Sequence, residues 1–132
     1  MKRTSIRSFK DLDVYKNLYR AMIVVLKHVV PKLPETEKYD LASQMNRACK
    51  SPLGLLAEGY AKKNYKRSWS KYIDDAIGEC NEIISHLSIT RDVYSKFVDP
   101  KICDKLIEIY DIAGKQLYRL GENWKVFPKK QR

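Results

Sequence analysis

Apolar residues recur at helical spacing along most of the chain. Leu12, Tyr15, Tyr19, Met22, Leu26 and Val29 step by 3, 4, 3, 4 and 3 residues, the rhythm of a helix laid along a bundle seam. This predicts a first helix over about residues 12–30, with Asp11 as its N-cap. Val14, Leu18, Ala21 and Val25 form a second stripe beside the first. A helix that is apolar on two sides is expected to be covered twice, by its own bundle and by another subunit. Pro31 and Pro34 end it. A second helix is predicted over about residues 35–60, with Glu35 and Glu37 in its first turn, where the dipole favours acids. Its inner face reads Leu41, Met45, Ala48, Pro52, Leu55 or Leu56, and Gly59. Pro52 is expected to kink or split it.

A third helix, capped by Asn64, is predicted to run to about Tyr94. Trp69, Ile73, Ala76 or Ile77, Cys80, Ile83 or Ile84, and Leu87 are placed inward. Asp99 followed by Pro100 is an N-cap and first-turn pair for a fourth helix. Its expected seam is Ile102, Leu106, Ile109, Ala113, Leu117, Leu120 and Trp124, fraying from Gly121. Four helices, no strand and short connections predict an all-α fold, an antiparallel up-down-up-down four-helix bundle. The 132 residues suffice for one core. The expected organisation is a basic tail at residues 1–10, the bundle at 11–124, and a second basic tail at 125–132.

Charge sharpens this picture. The chain carries 26 basic and 16 acidic residues, a net of +10. Half of the basic residues, thirteen, fall in three segments without any acid: residues 1–10, 61–72 and 125–132. The rest of the chain is slightly acidic. Concentrated positive charge points to a polyanion. In the internal segment Lys62, Lys63, Lys66, Arg67 and Lys71 alternate with Tyr60, Tyr65, Trp69 and Tyr72. Trp69 and Tyr72 are expected to face the core, which leaves Tyr60 and Tyr65 as stacking platforms beside phosphate contacts. The candidate nucleic-acid-binding residues are therefore Lys62, Lys63, Lys66, Arg67, Lys71 and Tyr65. A solvated basic face is the competing reading.

Other classes fit poorly. The longest apolar run, Ala21–Leu26, cannot span a bilayer. No apolar stretch follows the basic start, so a secretory leader is not expected. Cys49, Cys80 and Cys103 are odd in number and widely spaced, which argues against a disulfide framework and a zinc site. Reduced thiols and a cytoplasmic location are expected. No Gly-rich phosphate loop or nucleophile motif is present. Neither Arg67 nor Arg91 has the downstream His of helical toxin ribonucleases. Asp74, Asp75, Glu79 and Glu82 form an acidic group on the third helix. A metal-dependent nuclease using Asp75, Glu79 and Glu82 is one reading, and a solvated outer face the plainer one. His28 and His86 are isolated. No enzyme activity and no cofactor are expected.

A set of ordered motifs adds a resemblance. Phe9-x-Asp11-Leu12-x-Val14-Tyr15 is followed by Leu33-Pro34-x-x-Glu37-x-Tyr39-x-Leu41, then Ser43-Gln44, Arg47-Ala48 and Ala57-Glu58-Gly59. Trp69, Tyr72-Ile73 and Ala76-x-Gly78 come next. In this series the chain resembles the bacterial four-helix-bundle family that includes the 23S rRNA intervening-sequence proteins. That family is similar to the accessory variability proteins of diversity-generating retroelements. Two departures stand out. The family pattern Ser-Ile-Pro-x-Asn-Ile-Ala-Glu-Gly here has proline one place earlier, at Pro52, and Leu55 in place of Asn. One extra residue also stands between Gly59 and Trp69. The more apolar helix leans towards the retroelement side. The resemblance implies a ring-shaped homopentamer without enzyme activity. For the retroelement members it implies binding of RNA or DNA and of a partner reverse transcriptase. Five copies at +10 each would total about +50. For Glu58 and Gly59 the structural reading is preferred: Glu58 bonds to a neighbouring group, and Gly59, like Gly78, permits close helix contact.

Overall fold

The computed structural model describes residues 6–123. Within them the chain forms four helices and no strand: α1 at Asp13–Val24, α2 at Leu41–Ala61, α3 at Lys66–Val93 and α4 at Pro100–Glu122. Contacts join the start of one helix to the end of its neighbour. Thr90, late in α3, donates to the Met45 sulfur in early α2 at 3.7 Å. Arg91 pairs with Asp104 across the α3–α4 connection at 3.0 Å. Asn17 in early α1 donates to Gln116 in late α4 at 3.1 Å. These pairings are those of antiparallel neighbours, with α3 packed most extensively on α2 and α4.

The helix starts differ from expectation in their chemistry. Asp11 does not cap α1. It closes a short turn at Phe9–Asp11, where Ser8 is the cap and the Asp11 carboxylate accepts from the Ser8 backbone N–H. Leu12 stands at the α1 N-cap without a side-chain bond. Asn64 does not cap α3; Tyr65 occupies that place, also without a side-chain bond. Asp99 does cap α4, accepting from the Lys101 N–H at 2.9 Å. Glu35–Glu37 form a separate 3₁₀ turn, so α2 begins later than the acids suggested. Tyr94 donates its hydroxyl to Glu37 and ties this turn to the end of α3. Pro52 splits nothing: α2 runs unbroken through it, because a packed face holds the helix where one backbone bond is missing.

The core corrects the sequence reading of α1. Val14, Leu18, Ala21 and Val25 are buried, and of the first stripe only its ends, Leu12 and Val29, are buried with them. Tyr15, Met22 and Leu26 only flank the core, and Tyr19 is 46% exposed. The two stripes lie next to each other, and spacing alone could not rank them. After α1 the backbone widens into a π-helical turn at Val25–Val29. That turn sits just before Pro31, which has no N–H to continue the ladder. In α2 the buried choice is Leu56, with Cys49 and Leu53 added. In α3 the choices are Ala76 and Ile83. In α4 Cys103 and Tyr110 are buried, whereas Ile102 and Ile109 are half-buried. Trp124 and both terminal basic segments lie outside the described residues, apart from Ile6–Lys10.

All three cysteines are free and buried. Burial pushes the Cys49 thiol up to about 11 and the Cys80 thiol to about 12, so both behave as small apolar side chains. The Tyr110 hydroxyl lies in the same region without a hydrogen-bond partner among the described residues, and burial raises its pKa.

Candidate nucleic-acid interface

The six candidate residues gather at one end of the bundle because α2 and α3 join there through a tight turn. The Lys62 N–H bonds the Gly59 carbonyl, and Lys63 bonds that of Tyr60, at 2.9 and 3.2 Å. The chain then turns at once into α3. Lys62, Lys63, Lys66 and Arg67 are thereby held within a few residues of one another. Gly59 lets the helices close on each other. A Cβ there would stand 2.8 Å from Tyr72 Cβ, nearer than carbon atoms approach. Gly78, in contrast, has nothing within 4 Å, so it makes no close contact. Gly54 and Gly114 are equally open.

A polar chain locks the turn. Lys62 Nζ donates to the Tyr72 hydroxyl at 3.3 Å, and that hydroxyl donates to Glu58 Oε2 at 3.1 Å. Glu58 is thus held by a tyrosine hydroxyl, in keeping with a structural role. Lys63 Nζ sits over the Tyr60 ring, 4.3 Å from its centroid. Tyr60 is half-buried and lies close enough to Asp11 to feel its charge. Its exposed surface is partly taken by Lys63, which leaves Tyr65, 58% exposed, as the stacking platform of the pair. Lys66 and Arg67 form no ion pair among the described residues. Lys71 stands one turn further along α3 and is neutralised by Asp75 at 3.1 Å.

More cations join this end than the internal segment supplies. The Phe9–Asp11 turn packs against α2, bringing Arg7 and Lys10 alongside. The end of α4 also arrives here: a Cβ on Gly121 would lie 3.2 Å from the Ile73 side chain, near the start of α3. Both ends of the described chain, Ile6 and Asn123, therefore leave the bundle where the α2–α3 turn lies. Of the acids nearby, Asp11 and Glu58 are engaged, whereas Asp13 and Glu122 are exposed without an ion pair among the described residues. Asp11 accepts from the backbone N–H groups of Arg7 and Ser8, which hold its carboxyl below the usual range. Glu58 and Asp75 are bound as described. Arg7, Lys10, Lys62, Lys63, Lys66 and Arg67 outnumber those two acids, so the exposed charge at this end is positive in balance and suits phosphate oxygens. Sequence reading could not foresee the meeting of Arg7 and Lys10 with the turn, which depends on packing between distant segments.

The acidic group on α3 does not assemble. Asp75 faces Lys71, while Glu79 and Glu82 face α2. Among the described residues, no group of three or more His, Cys, Asp or Glu side chains could hold a metal ion. Glu79 departs from the solvated-face expectation. Its Oε1 is buried without a partner. Burial first, then the hydrogen bond and charge of Glu82, raise its pKa above the usual carboxylate value, against lowering by Ser51 and Arg47. His86 is buried, and its Nε2 stands 4.0 Å from Glu82, outside hydrogen-bond reach. A raised folded-state pKa gives stability that is present at low pH and lost as pH climbs through that value. Glu79→Gln is therefore expected to stabilise the protein at pH 7 and to lose this advantage by about pH 4, below the ordinary glutamate pKa. Urea midpoints of both proteins at the two pH values test this.

A family model described as 23S rRNA-intervening sequence protein matches residues 10–119. The chain belongs to this family. The match runs from the turn before α1 almost to the end of α4, so the bundle is covered nearly whole. The α2–α3 turn, with all six candidate residues, lies inside it. A comparison with curated proteins gave no match. No helix among the described residues is long and apolar enough to cross a membrane.

Proposed function

We propose that this chain is a non-enzymatic, oligomeric nucleic-acid-binding protein, an accessory to RNA handling or reverse transcription, that grips phosphates with the basic end of its bundle. One observation carries the reading. Lys62, Lys63, Lys66 and Arg67 converge at one turn, at the end of the bundle to which the Phe9–Asp11 turn brings Arg7 and Lys10. The family's name, which refers to ribosomal RNA, favours RNA as the ligand. The motif resemblance to retroelement accessory proteins extends the reading to a reverse transcriptase as a protein partner. Self-association is supported by α1, which shows Tyr19 and Ile23 to solvent beside half-buried Tyr15, Met22 and Leu26. Such a stripe is costly to leave wet, and a homopentamer would cover it. The proposed location is the cytoplasm.

The test is binding of the purified full chain to structured RNA at two salt concentrations, with mass measured by light scattering in the same samples. The expected result is a particle of about five chains, the number the resemblance implies. Its affinity should fall steeply with salt as counterions are released. Salt-independent or absent binding would refute the phosphate role. A monomer would refute the oligomer.

A second reading has its own support. At the opposite end of the bundle Tyr39, Val93 and Phe97 are 88%, 63% and 51% exposed. A protein-interaction scaffold without direct nucleic-acid binding would use such a surface. An oligomer that binds no nucleic acid, yet captures a protein partner through this end, would favour it.

A further inference from the structure

Away from the basic turn, α3 and α4 border an open groove of about 410 Å³ lined by Ile77, Asn81, Asp111, Gly114, Tyr118 and Arg119. That volume falls within the usual range for small-ligand sites. Its shape follows from two helical pairs facing each other. Ile77 and Asn81 are one turn apart on α3, and Gly114 and Tyr118 one turn apart on α4, so each pair shares a face. A side chain on a helix leans over the turn preceding its own Cα. Tyr118 thus borders the groove one turn beyond Gly114, where no side chain stands and nothing lies within 4 Å of a Cβ position. Tyr118 is 61% exposed. Asn81 is exposed and makes no side-chain hydrogen bond among the described residues, and Arg119 is exposed and makes no ion pair there. Asp111 is taken up by Lys115 at 3.2 Å.

These groups suit one kind of ligand. An exposed aromatic ring beside a side-chain-free stretch of helix leaves room for a flat ring. The amide across the groove offers both donors and an acceptor to that ring's edge. The guanidinium beside the ring meets a phosphate oxygen. We propose that the α3–α4 groove holds a single unstacked base of the nucleic acid whose backbone lies on the basic bundle end, so that the protein prefers single-stranded to duplex RNA. This rests on the phosphate-binding reading above. A duplex keeps its base faces stacked and offers none to Tyr118. Arg119 lies within the last turns of α4, which end at the basic turn, so a strand can follow the surface from one site to the other.

The test uses the full chain, a single-stranded RNA of about 12 nucleotides, within the site sizes of single-strand binders, and a blunt RNA duplex of the same length. Two substitutions are measured by fluorescence anisotropy, with helicity checked by circular dichroism. Gly114→Leu fills the groove, and the open space there lets it fold. Tyr118→Ala removes the platform. Each is expected to weaken single-strand binding at least about fivefold, as the loss of one stacked base does. The salt dependence and the duplex affinity should stay unchanged. Wild-type binding that neither substitution alters would overturn the groove and leave the basic end standing. Equal weakening for strand and duplex would also overturn it. Wild-type protein that binds neither RNA would overturn both readings.

Discussion

Replacing Lys62, Lys63, Lys66 and Arg67 together with Ala is expected to weaken RNA binding on the order of 100-fold near 0.1 M salt and to lower the slope of log affinity against log salt by about 3. The slope is the more telling quantity. Each phosphate neutralised on a single strand contributes about 0.7 to it, so four lost contacts give about 3. Lys71 is left out because Asp75 already neutralises it; Lys71→Ala alone should change the slope little. The four side chains lie at or beside the α2–α3 turn. Only Lys62 bonds to another side chain, through Tyr72, and Lys63 rests on the Tyr60 ring. Helicity should therefore survive. Filter binding over a salt series, with circular dichroism on the same proteins, measures both. An unchanged slope would mean that these cations are solvated surface and nothing more.

Gly59→Ala is expected to lower stability by about 2 kcal/mol, the usual range for overpacking being about 1–3 kcal/mol. Alanine favours a helix by about 1 kcal/mol over glycine, which works against the loss without cancelling it. The steric cost is hard to avoid. The atom met at 2.8 Å is Tyr72 Cβ, the root of a side chain, with Tyr72 Cγ at 3.3 Å and the Trp69 ring at 3.7 Å. No rotamer change moves a Cβ, so the helices must separate. That separation disturbs fully buried Trp69 and strains the hydrogen bonds between Tyr72, Glu58 and Lys62. Gly78→Ala serves as the contrast. Its Cβ meets nothing within 4 Å, so the gain in helix propensity should show alone, as a rise of about 0.5–1 kcal/mol. Urea unfolding of the three proteins should order them Gly78→Ala above wild type above Gly59→Ala. A Gly59→Ala protein as stable as the wild type would contradict the packing described for this turn.

The fold was readable in the sequence because each helix repeats its apolar positions at helical spacing and prolines mark the breaks. Asp99 and Pro100 placed the start of α4 correctly because their signals are local: a carboxylate and a missing N–H. The first α1 stripe holds only at its ends, Leu12 and Val29, for a different reason. Val14, Leu18, Ala21 and Val25 repeat as regularly as the tyrosine-bearing stripe, and only the neighbours of α1 decide which one faces inward. The same limit misplaced Ile102 and Ile109 in α4, each one residue from a buried Cys103 or Tyr110. At the candidate interface, the run of cations from Lys62 to Lys71 was visible as composition. That Asp75 removes Lys71 from it, and that Arg7 and Lys10 join it, depends on geometry between side chains and segments. The α3–α4 groove was hidden altogether, because it is made where Gly114 lacks a side chain and where Asn81 stands across from Tyr118.

Nucleic acid is expected to sit on the basic end of the bundle. Ultraviolet crosslinking of a uridine-containing RNA to the full chain, with the attached peptides mapped by mass spectrometry, would locate it. Crosslinks are expected on Tyr65 and on the peptides carrying Lys62, Lys63, Lys66 and Arg67, with Tyr118 joining them if the groove holds a base. Crosslinks confined to the outer face of α2 around Arg47 and Lys50, or to the opposite end near Tyr39 and Phe97, would contradict it.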